Sequence, residues 1–473
     1  MDHDEFRKQA HDFVEWIADY IDGIEKYPVK SAVNPGDIYN KVPETPPREP
    51  ESINKIFRDF QDIILPGITH WQSPNFFAYF PANSSFPSLL AEMLTAALGA
   101  QCMIWETSPA AAELEEKMMN WLKKLTGLPE YFQGVIQDTA STATLTALLT
   151  AREKLTSYKI NELGFANPNY RIYCSTETHS SIEKAVKIAG FGRRNLVKVG
   201  VDDNFRMDPE LLEAAIQSDR SKNLIPLCIV ATLGTTGSMA IDPLDRISSI
   251  ALKYNLWLHV DAAFAGTALI LEENRWMIQG VEQADSFVFN PHKWMFTNFD
   301  CSAYFVKDKD ALINTFSINP EYLKTRTSGK VNDYRDWGIQ LGRRFRALKL
   351  WFVIRSFGIE GLKERIRYHI SLAEELERKI NESKDFEIIT PRTLNLICFR
   401  FKPAKINDLQ RINDLNEQLM HKLNSTGKIF LTHTVLKGKY TLRMVIAQTS
   451  VTENHVENAW DLIKKSANGI GRS

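Results

Sequence analysis

Cysteine is scarce in this chain. Five cysteines stand among 473 residues, at 102, 174, 228, 301 and 398, scattered and without a Cys-x-x-Cys pair. That pattern suggests no disulfide framework and offers no zinc ligand set, so no metal site is expected. An excess of charge is also missing. Lys plus Arg total 57 against 58 for Asp plus Glu, a formal net charge of −1. A nucleic-acid binder carries a basic surplus, so nucleic acid is not expected as a partner. No apolar run approaches the roughly 18 residues of a membrane-spanning helix. The acidic start, Met1-Asp-His-Asp-Glu5, lacks the basic segment and apolar core of a secretory signal. The expectation is therefore a cytoplasmic protein with no membrane partner. Neither a Gly-x-Gly-x-x-Gly loop nor a Walker lysine loop occurs, which argues against dinucleotide or ATP chemistry.

What the chain does have is an ordinary globular balance, 44% hydrophobic and 24% charged residues. At about 150 residues per domain, its length suggests roughly three domains. Residues 1–85 read as an N-terminal helical arm and dimerisation segment. Phe6, Phe13, Ile17, Tyr20 and Ile24 recur at helical spacing. The proline-rich stretch Val42–Pro50 then interrupts the helix. Residues 86–359 read as a large α/β domain. Apolar runs at 171–174, 225–232, 256–260 and 286–289 alternate with helical patterns, which argues for a mainly parallel sheet with helices on both faces. Asp208-Pro209 and Asp242-Pro243 each read as a capping carboxylate before a first-turn proline. Residues 360–473 read as a small α+β domain. It opens with a long charged helix from Glu360 to about Glu382 and includes a hairpin turning at Lys437-Gly438-Lys439.

Ligands in such sheets sit beyond the carboxyl ends of the strands, so the loops there are where chemistry is expected. Asn290-Pro-His292-Lys293-Trp follows the strand at 286–289. A lysine in apolar surroundings loses basicity and becomes a candidate Schiff-base former, although loop lysines are common. Asp261 ends the strand Leu256–Val260, with Ala263 two positions on. Alone it reads as a cap or a loop ion pair. Beside Lys293 it fits the carboxylate that a pyridoxal phosphate ring nitrogen requires. Asp138-Thr-Ala140-Ser141 precedes a helix, expected from Thr142 to Leu155, whose free N–H groups could hold a phosphate. His179, in Thr178-His-Ser-Ser181, and Thr236, in Thr232-Leu-Gly-Thr-Thr-Gly237, occupy two more strand-to-helix loops.

The order of these signals along the chain resembles the group II pyridoxal-phosphate-dependent decarboxylases, and most of all the aromatic L-amino-acid decarboxylases. The resemblance runs from His70-Trp-Gln-Ser-Pro-Asn-Phe-Phe-Ala-Tyr-Phe-Pro81 to Tyr440-Thr-Leu-Arg443. It includes His259-Val-Asp-Ala-Ala263, Asn290-Pro-His-Lys-Trp294, Asn298-Phe-Asp-Cys-Ser302 and Leu341-Gly-Arg-Arg-Phe-Arg346. It implies a fold type I pyridoxal-phosphate-dependent transferase with a seven-stranded sheet, and a homodimer with its active site at the interface.

By the same resemblance, Lys293 carries the cofactor, Asp261 meets its pyridine nitrogen and Ala263 lies beneath the ring. His179 stacks above the ring and assists the substrate. Ala140, Ser141 and Asn290 match phosphate-binding positions, Thr236 a cofactor contact, and His292 the residue before the lysine. Tyr322, in the segment 319–330, matches a proton-donating tyrosine on a mobile loop. Related aldehyde synthases have phenylalanine there, so Tyr322 favours amine as product. Trp71, Tyr79, Phe80 and Pro81 match an aromatic substrate wall. Gly342 matches a position that is glycine in indole-preferring plant relatives and serine in phenol-preferring ones, which points to tryptophan, with tyrosine, dopa and phenylalanine as further substrates. Departures from the animal pattern occur at Ala82, Asn83, Gln101, Met103, Asp138 and Thr142. A carboxylate at 138 is unfavourable beside a phosphate unless it is paired or turned away. Three alternatives stand against this reading: oxygen-dependent aldehyde formation, decarboxylation of glutamate or histidine, and a scaffold that has lost catalysis. The basic run Arg343-Arg344-Phe345-Arg346 reads as the charged face of an amphipathic helix, on the spacing of Leu341, Phe345 and Leu348.

Overall fold

The structure is a computed structural model and describes residues 1–165, 169–318 and 330–470. The chain forms two compact units. One comprises Ala82–Ser371 with Thr390–Leu396; the other comprises Met1–Pro81, Leu372–Ile389 and Ile397–Ser473.

The larger unit is built on seven strands: β1 (Gln133–Gln137), β2 (Tyr170–Ser175), β3 (Leu196–Val199), β4 (Ile225–Thr232), β5 (Trp257–Asp261), β6 (Ser286–Phe289) and β7 (Ser302–Val306). Their order in the sheet is β1-β7-β6-β5-β4-β2-β3. Neighbours from β6 through to β3 pair in parallel, while β7 runs antiparallel to both β6 and β1. Every strand but β7 therefore points the same way. The loops leaving β1, β2, β4, β5 and β6 emerge at one end of the sheet, where β7 begins. Strands β5, β6 and β7 are buried along their whole length. That is why they read as apolar runs and not as alternating patterns.

Two local expectations are corrected here. Asp208 does cap its helix, accepting from the N–H groups of Glu210 (2.9 Å) and Leu211 (3.1 Å). Asp242 does not. Pro243 is the N-cap of the helix Leu244–Tyr254. Asp242 is instead buried and accepts from Met207 N (2.7 Å) and Thr232 N (2.8 Å). The N–H groups of Met207, in a loop, and of Thr232, at the last position of β4, claim that carboxylate before the helix can. The expected charged helix is present: the chain is helical from Arg346, breaks at Gly358 (φ 65°, ψ 167°) and resumes as a second helix that ends at Glu382. Leu341 to Phe345 are not helical. Arg343 is buried and paired with Glu115 at 2.6 Å, and Arg346 meets Asp300 with two contacts of 3.0 Å. Arg343 and Arg346 are thus committed to internal ion pairs, while Arg344 stays exposed and meets Glu92 at 2.7 Å.

The smaller unit carries a second sheet of β8 (Phe386–Ile388), β9 (Leu396–Phe401), β10 (Thr432–Leu436) and β11 (Lys439–Val445), in the order β10-β11-β9-β8. The β10–β11 hairpin turns at Lys437 (φ 47°) and Gly438 (φ 78°), two successive left-handed residues as a tight hairpin requires. The helices Leu409–Ser425 and Glu453–Ile470 belong to this unit, and Trp460 packs edge-on against Phe386 (4.9 Å between ring centroids). Phe76 and Phe77 have no exposed surface. Phe77 N donates to Phe430 O, and its carbonyl accepts from Val445 N, both at 3.0 Å. The run 70–81 is therefore woven into this core. No helix among the described residues is long and apolar enough to cross a membrane.

Candidate active site

The five loops at the carboxyl end of the larger sheet carry the expected cofactor positions and His179. The helix Ala140–Leu155 follows β1, with Thr139 as its N-cap. Four N–H groups at a helix start lack intrahelical acceptors. Thr139 N donates to its neighbour's carboxylate, Asp138 Oδ1, at 2.6 Å. Thr142 N donates to Thr139 Oγ1 at 3.4 Å. The two that remain, on Ala140 and Ser141, meet no acceptor among the described residues. They stand at the two positions that the sequence suggested for a phosphate.

Asp261 is buried at the end of β5, with Oδ1 accepting from Ala263 N at 3.0 Å. The carbonyl of Ala263 accepts from Asn290 N at 3.0 Å. This fastens the Asp261 loop to the loop that bears the lysine. Asn290 is buried, its Oδ1 accepting from Ser302 Oγ at 2.7 Å. Lys293 sits in the short helix Pro291–Trp294. Loss of solvent lowers its pKa from the ordinary lysine value, and Asp261 acts in the opposite direction. His292 is buried and accepts from Cys301 N at 2.8 Å through Nδ1. Burial first, and Lys293 second, bring its pKa down to about 3. It is a structural imidazole that stays neutral.

His179 is the N-cap of the helix Ser180–Ile188. Its Nδ1 accepts from Ser181 N at 3.1 Å, which places the proton of the neutral ring on Nε2. Loss of solvent lowers its pKa, with Asp261 opposing and Lys293 reinforcing. His179, Asp261 and Lys293 thus lie within electrostatic reach of one another, although they come from three different loops. Thr236 is half-buried in the β4 loop. That loop is closed by N–H groups of Gly234 and Thr235 donating to Ala240 O, each at 3.0 Å.

The substrate positions are distributed differently. Trp71, Tyr79, Phe80 and Pro81 belong to the smaller unit. Trp71 and Tyr79 stack with centroids 5.7 Å apart and keep exposed faces, while Phe80 and Pro81 are buried. Gly342 lies in the larger unit, and a β-carbon there would come within 3.3 Å of Gln101 Nε2. Tyr322 and most of its segment lie outside the described residues.

Sequence reasoning missed several supporting groups. Asn83 N donates to His292 O at 2.9 Å and Asn83 Nδ2 to Lys293 O at 2.5 Å, so this departure from the animal pattern grips the lysine helix. His259 is fully buried, joined to Thr144 Oγ1 (3.2 Å) and Ser286 Oγ (2.9 Å), and burial lowers its pKa to about 4. Its period-two spacing from Asp261 was the available signal. Arg443, in the smaller unit, is buried with its guanidinium over the Phe80 ring at 5.5 Å. Its Nη1 donates to Thr432 Oγ1 (2.9 Å), whereas Nε and Nη2 have no partner among the described residues. Nothing local in the sequence marks that arginine as buried.

Residues 35–402 match the family model described as the pyridoxal-dependent decarboxylase conserved domain. The chain belongs to the pyridoxal-dependent decarboxylase family. It is 46% identical to phenylacetaldehyde synthase of Arabidopsis thaliana and 45% identical to tryptophan decarboxylase 2 of Oryza sativa subsp. japonica, in each case over 99% of this chain and 96% of the relative. The solved tryptophan decarboxylase of Oryza sativa with pyridoxal phosphate and tryptamine superposes with a TM-score of 0.96 at 35% identity, covering 99% of both chains. This chain is therefore a carboxy-lyase that uses pyridoxal phosphate. Its residues fit that group: two unclaimed N–H donors for a phosphate, a buried carboxylate for a ring nitrogen, and an amine of reduced basicity for an aldehyde.

Proposed function

We propose that the protein decarboxylates an aromatic L-amino acid to the corresponding arylalkylamine and carbon dioxide, with tryptophan first among the candidates and tyrosine, dopa and phenylalanine behind it. The observation that carries this reading is the electrostatic grouping of Lys293, Asp261 and His179 at one end of the sheet. The aromatic run Trp71, Tyr79, Phe80 and Pro81 supports the substrate class, as do relatives named tryptophan and tyrosine decarboxylases.

Bound pyridoxal phosphate supplies the electron sink for the pair left behind when carbon dioxide departs. Lys293, its basicity reduced by burial, would hold the aldehyde carbon. Asp261 keeps the ring nitrogen protonated. Ala140 and Ser141 offer N–H groups to the phosphate, with Asn290, Thr236 and Ala263 shaping the floor. His179 presents Nε2–H toward the substrate, and Tyr322 delivers the proton to the α-carbon. A homodimer is part of the proposal. The helix Phe86–Leu98 exposes Phe86, Leu90, Met93, Leu94 and Leu98 at helical spacing, a contiguous apolar face of the kind that protein partners cover.

The test is incubation of the purified protein and pyridoxal phosphate with L-tryptophan, L-tyrosine, L-dopa, L-phenylalanine, L-histidine and L-glutamate, with products read by mass spectrometry. The expected product is an aromatic amine. A second reading, aldehyde formation, is favoured by the similarity to phenylacetaldehyde synthase. Aldehyde as the main product would replace the first reading with it, and a glutamate or histidine product would overturn the aromatic assignment.

A further inference from the structure

The phosphate cradle contains a carboxylate. Asp138 immediately precedes the N-cap of the helix Ala140–Leu155, and its Oδ1 takes the Thr139 N–H at 2.6 Å. Its Oδ2 meets only the neutral amide of Gln340, at 3.4 Å. Among the described residues Asp138 forms no ion pair. The nearby cation Arg346 senses Asp138 but is held by both carboxylate oxygens of Asp300. Asp138 is also tied in place through its backbone, its carbonyl accepting from Ser302 Oγ at 3.3 Å. The carboxylate is thus turned onto the helix start but not neutralised there. It removes one N–H from the anion-binding set and sets a negative charge beside the place where a dianionic phosphate is held. Both effects oppose the anion.

We propose that Asp138 limits how tightly this enzyme holds pyridoxal phosphate, so that the enzyme exchanges between cofactor-free and cofactor-loaded forms. The proposal rests on the assignment of Ala140 and Ser141 to the phosphate. Because it predicts a gain on substitution, loss of fold cannot imitate the expected result.

Full-length protein stripped of cofactor is titrated with pyridoxal phosphate, and in parallel with pyridoxal, following quenching of protein fluorescence. Asp138→Asn keeps an acceptor for Thr139 N and removes the charge. It is expected to bind pyridoxal phosphate about tenfold more tightly, to release it more slowly on gel filtration, and to bind pyridoxal unchanged. The gain shrinks as salt rises, because screening weakens the repulsion in the parent protein. No tightening, or equal tightening for pyridoxal, overturns the proposal. Ala140→Pro tests the underlying assignment. It deletes one N–H at a first-turn position that accepts proline, after an N-cap that is already extended (φ −136°, ψ 160°). It is expected to weaken pyridoxal phosphate and not pyridoxal. If both ligands respond alike, the phosphate sits elsewhere and the role of Asp138 falls with it.

Discussion

Asn83 illustrates how a residue outside every motif can hold the reactive group. Its side-chain amide donates to the carbonyl of Lys293, inside a four-residue helix too short to hold itself. Asn83→Ala removes this hydrogen bond to the lysine helix, a cost of about 0.5–1.5 kcal/mol. The expected outcome is a lower melting temperature and faster loss of cofactor. Asn83→Asp sets a carboxylate against the carbonyl and is expected to be worse than alanine. Equal melting temperatures for the parent and both variants, measured by scanning calorimetry, would remove Asn83 from the supporting set. The same scale separates two histidine roles. His179, in contact with solvent, keeps Nε2–H available. His292 and His259 are enclosed by hydrogen bonds and stay neutral.

At the scale of elements, the break in the helix Arg346–Glu382 is set by one residue. Gly358 has φ 65° and ψ 167°, a region open essentially to glycine alone. A β-carbon built there would meet nothing within 4 Å. The cost of Gly358→Ala is therefore conformational and not steric, about 1–3 kcal/mol. Urea unfolding should show that loss without a change in its denaturant dependence. A stable variant would show that the break is not held by glycine. The sheet explains why the loops converge. Since β1 and β6 both pair antiparallel with β7, they share a direction with β5, β4 and β2. Loops far apart in sequence are thus delivered to one edge.

At the scale of the molecule, buried titratable groups set the response to acid. His259, His292 and His369 are brought to about 4, 3 and 3, chiefly by burial. An unfolded histidine titrates near 6.5, so between about pH 6.5 and 4 the unfolded chain binds protons that the folded one refuses. Each imidazole then removes about 1.4 kcal/mol of stability per pH unit of acidification. Asp242 works the other way. Burial raises it to about 7, so the folded state binds its proton first and gains as pH falls from about 7 toward 4. Three imidazoles outweigh one carboxyl. Stability is expected to fall from pH 6.5 to 5, and an increase in the urea midpoint over that range would contradict it. Assembly is tested at the same scale. Charges placed in the exposed face of the helix Phe86–Leu98, by Leu90→Glu with Leu94→Glu, are expected to convert a dimer to monomers in analytical ultracentrifugation. A dimer that survives both changes would move the interface elsewhere.

The strands were legible from local pattern, because buried parallel strands leave apolar runs. Local pattern marked Lys293, Asp261 and the loop Asp138–Ser141 only as candidates at the carboxyl ends of strands, and the roles expected of them came from the resemblance of the whole series of motifs. The capping at Asp208 was legible from local pattern too, because a cap reads only its own first turn. Asp242 has the same dipeptide and a different fate. Its carboxylate is taken by the N–H groups of Met207 and Thr232, the first of which lies 35 residues away in sequence. Likewise, Arg343 reads as a surface charge until Glu115 meets it across the fold. Periodicity records what a residue does to its neighbours in sequence. Which buried donor meets which acceptor is settled by long-range pairing, and that appears only once the chain has folded.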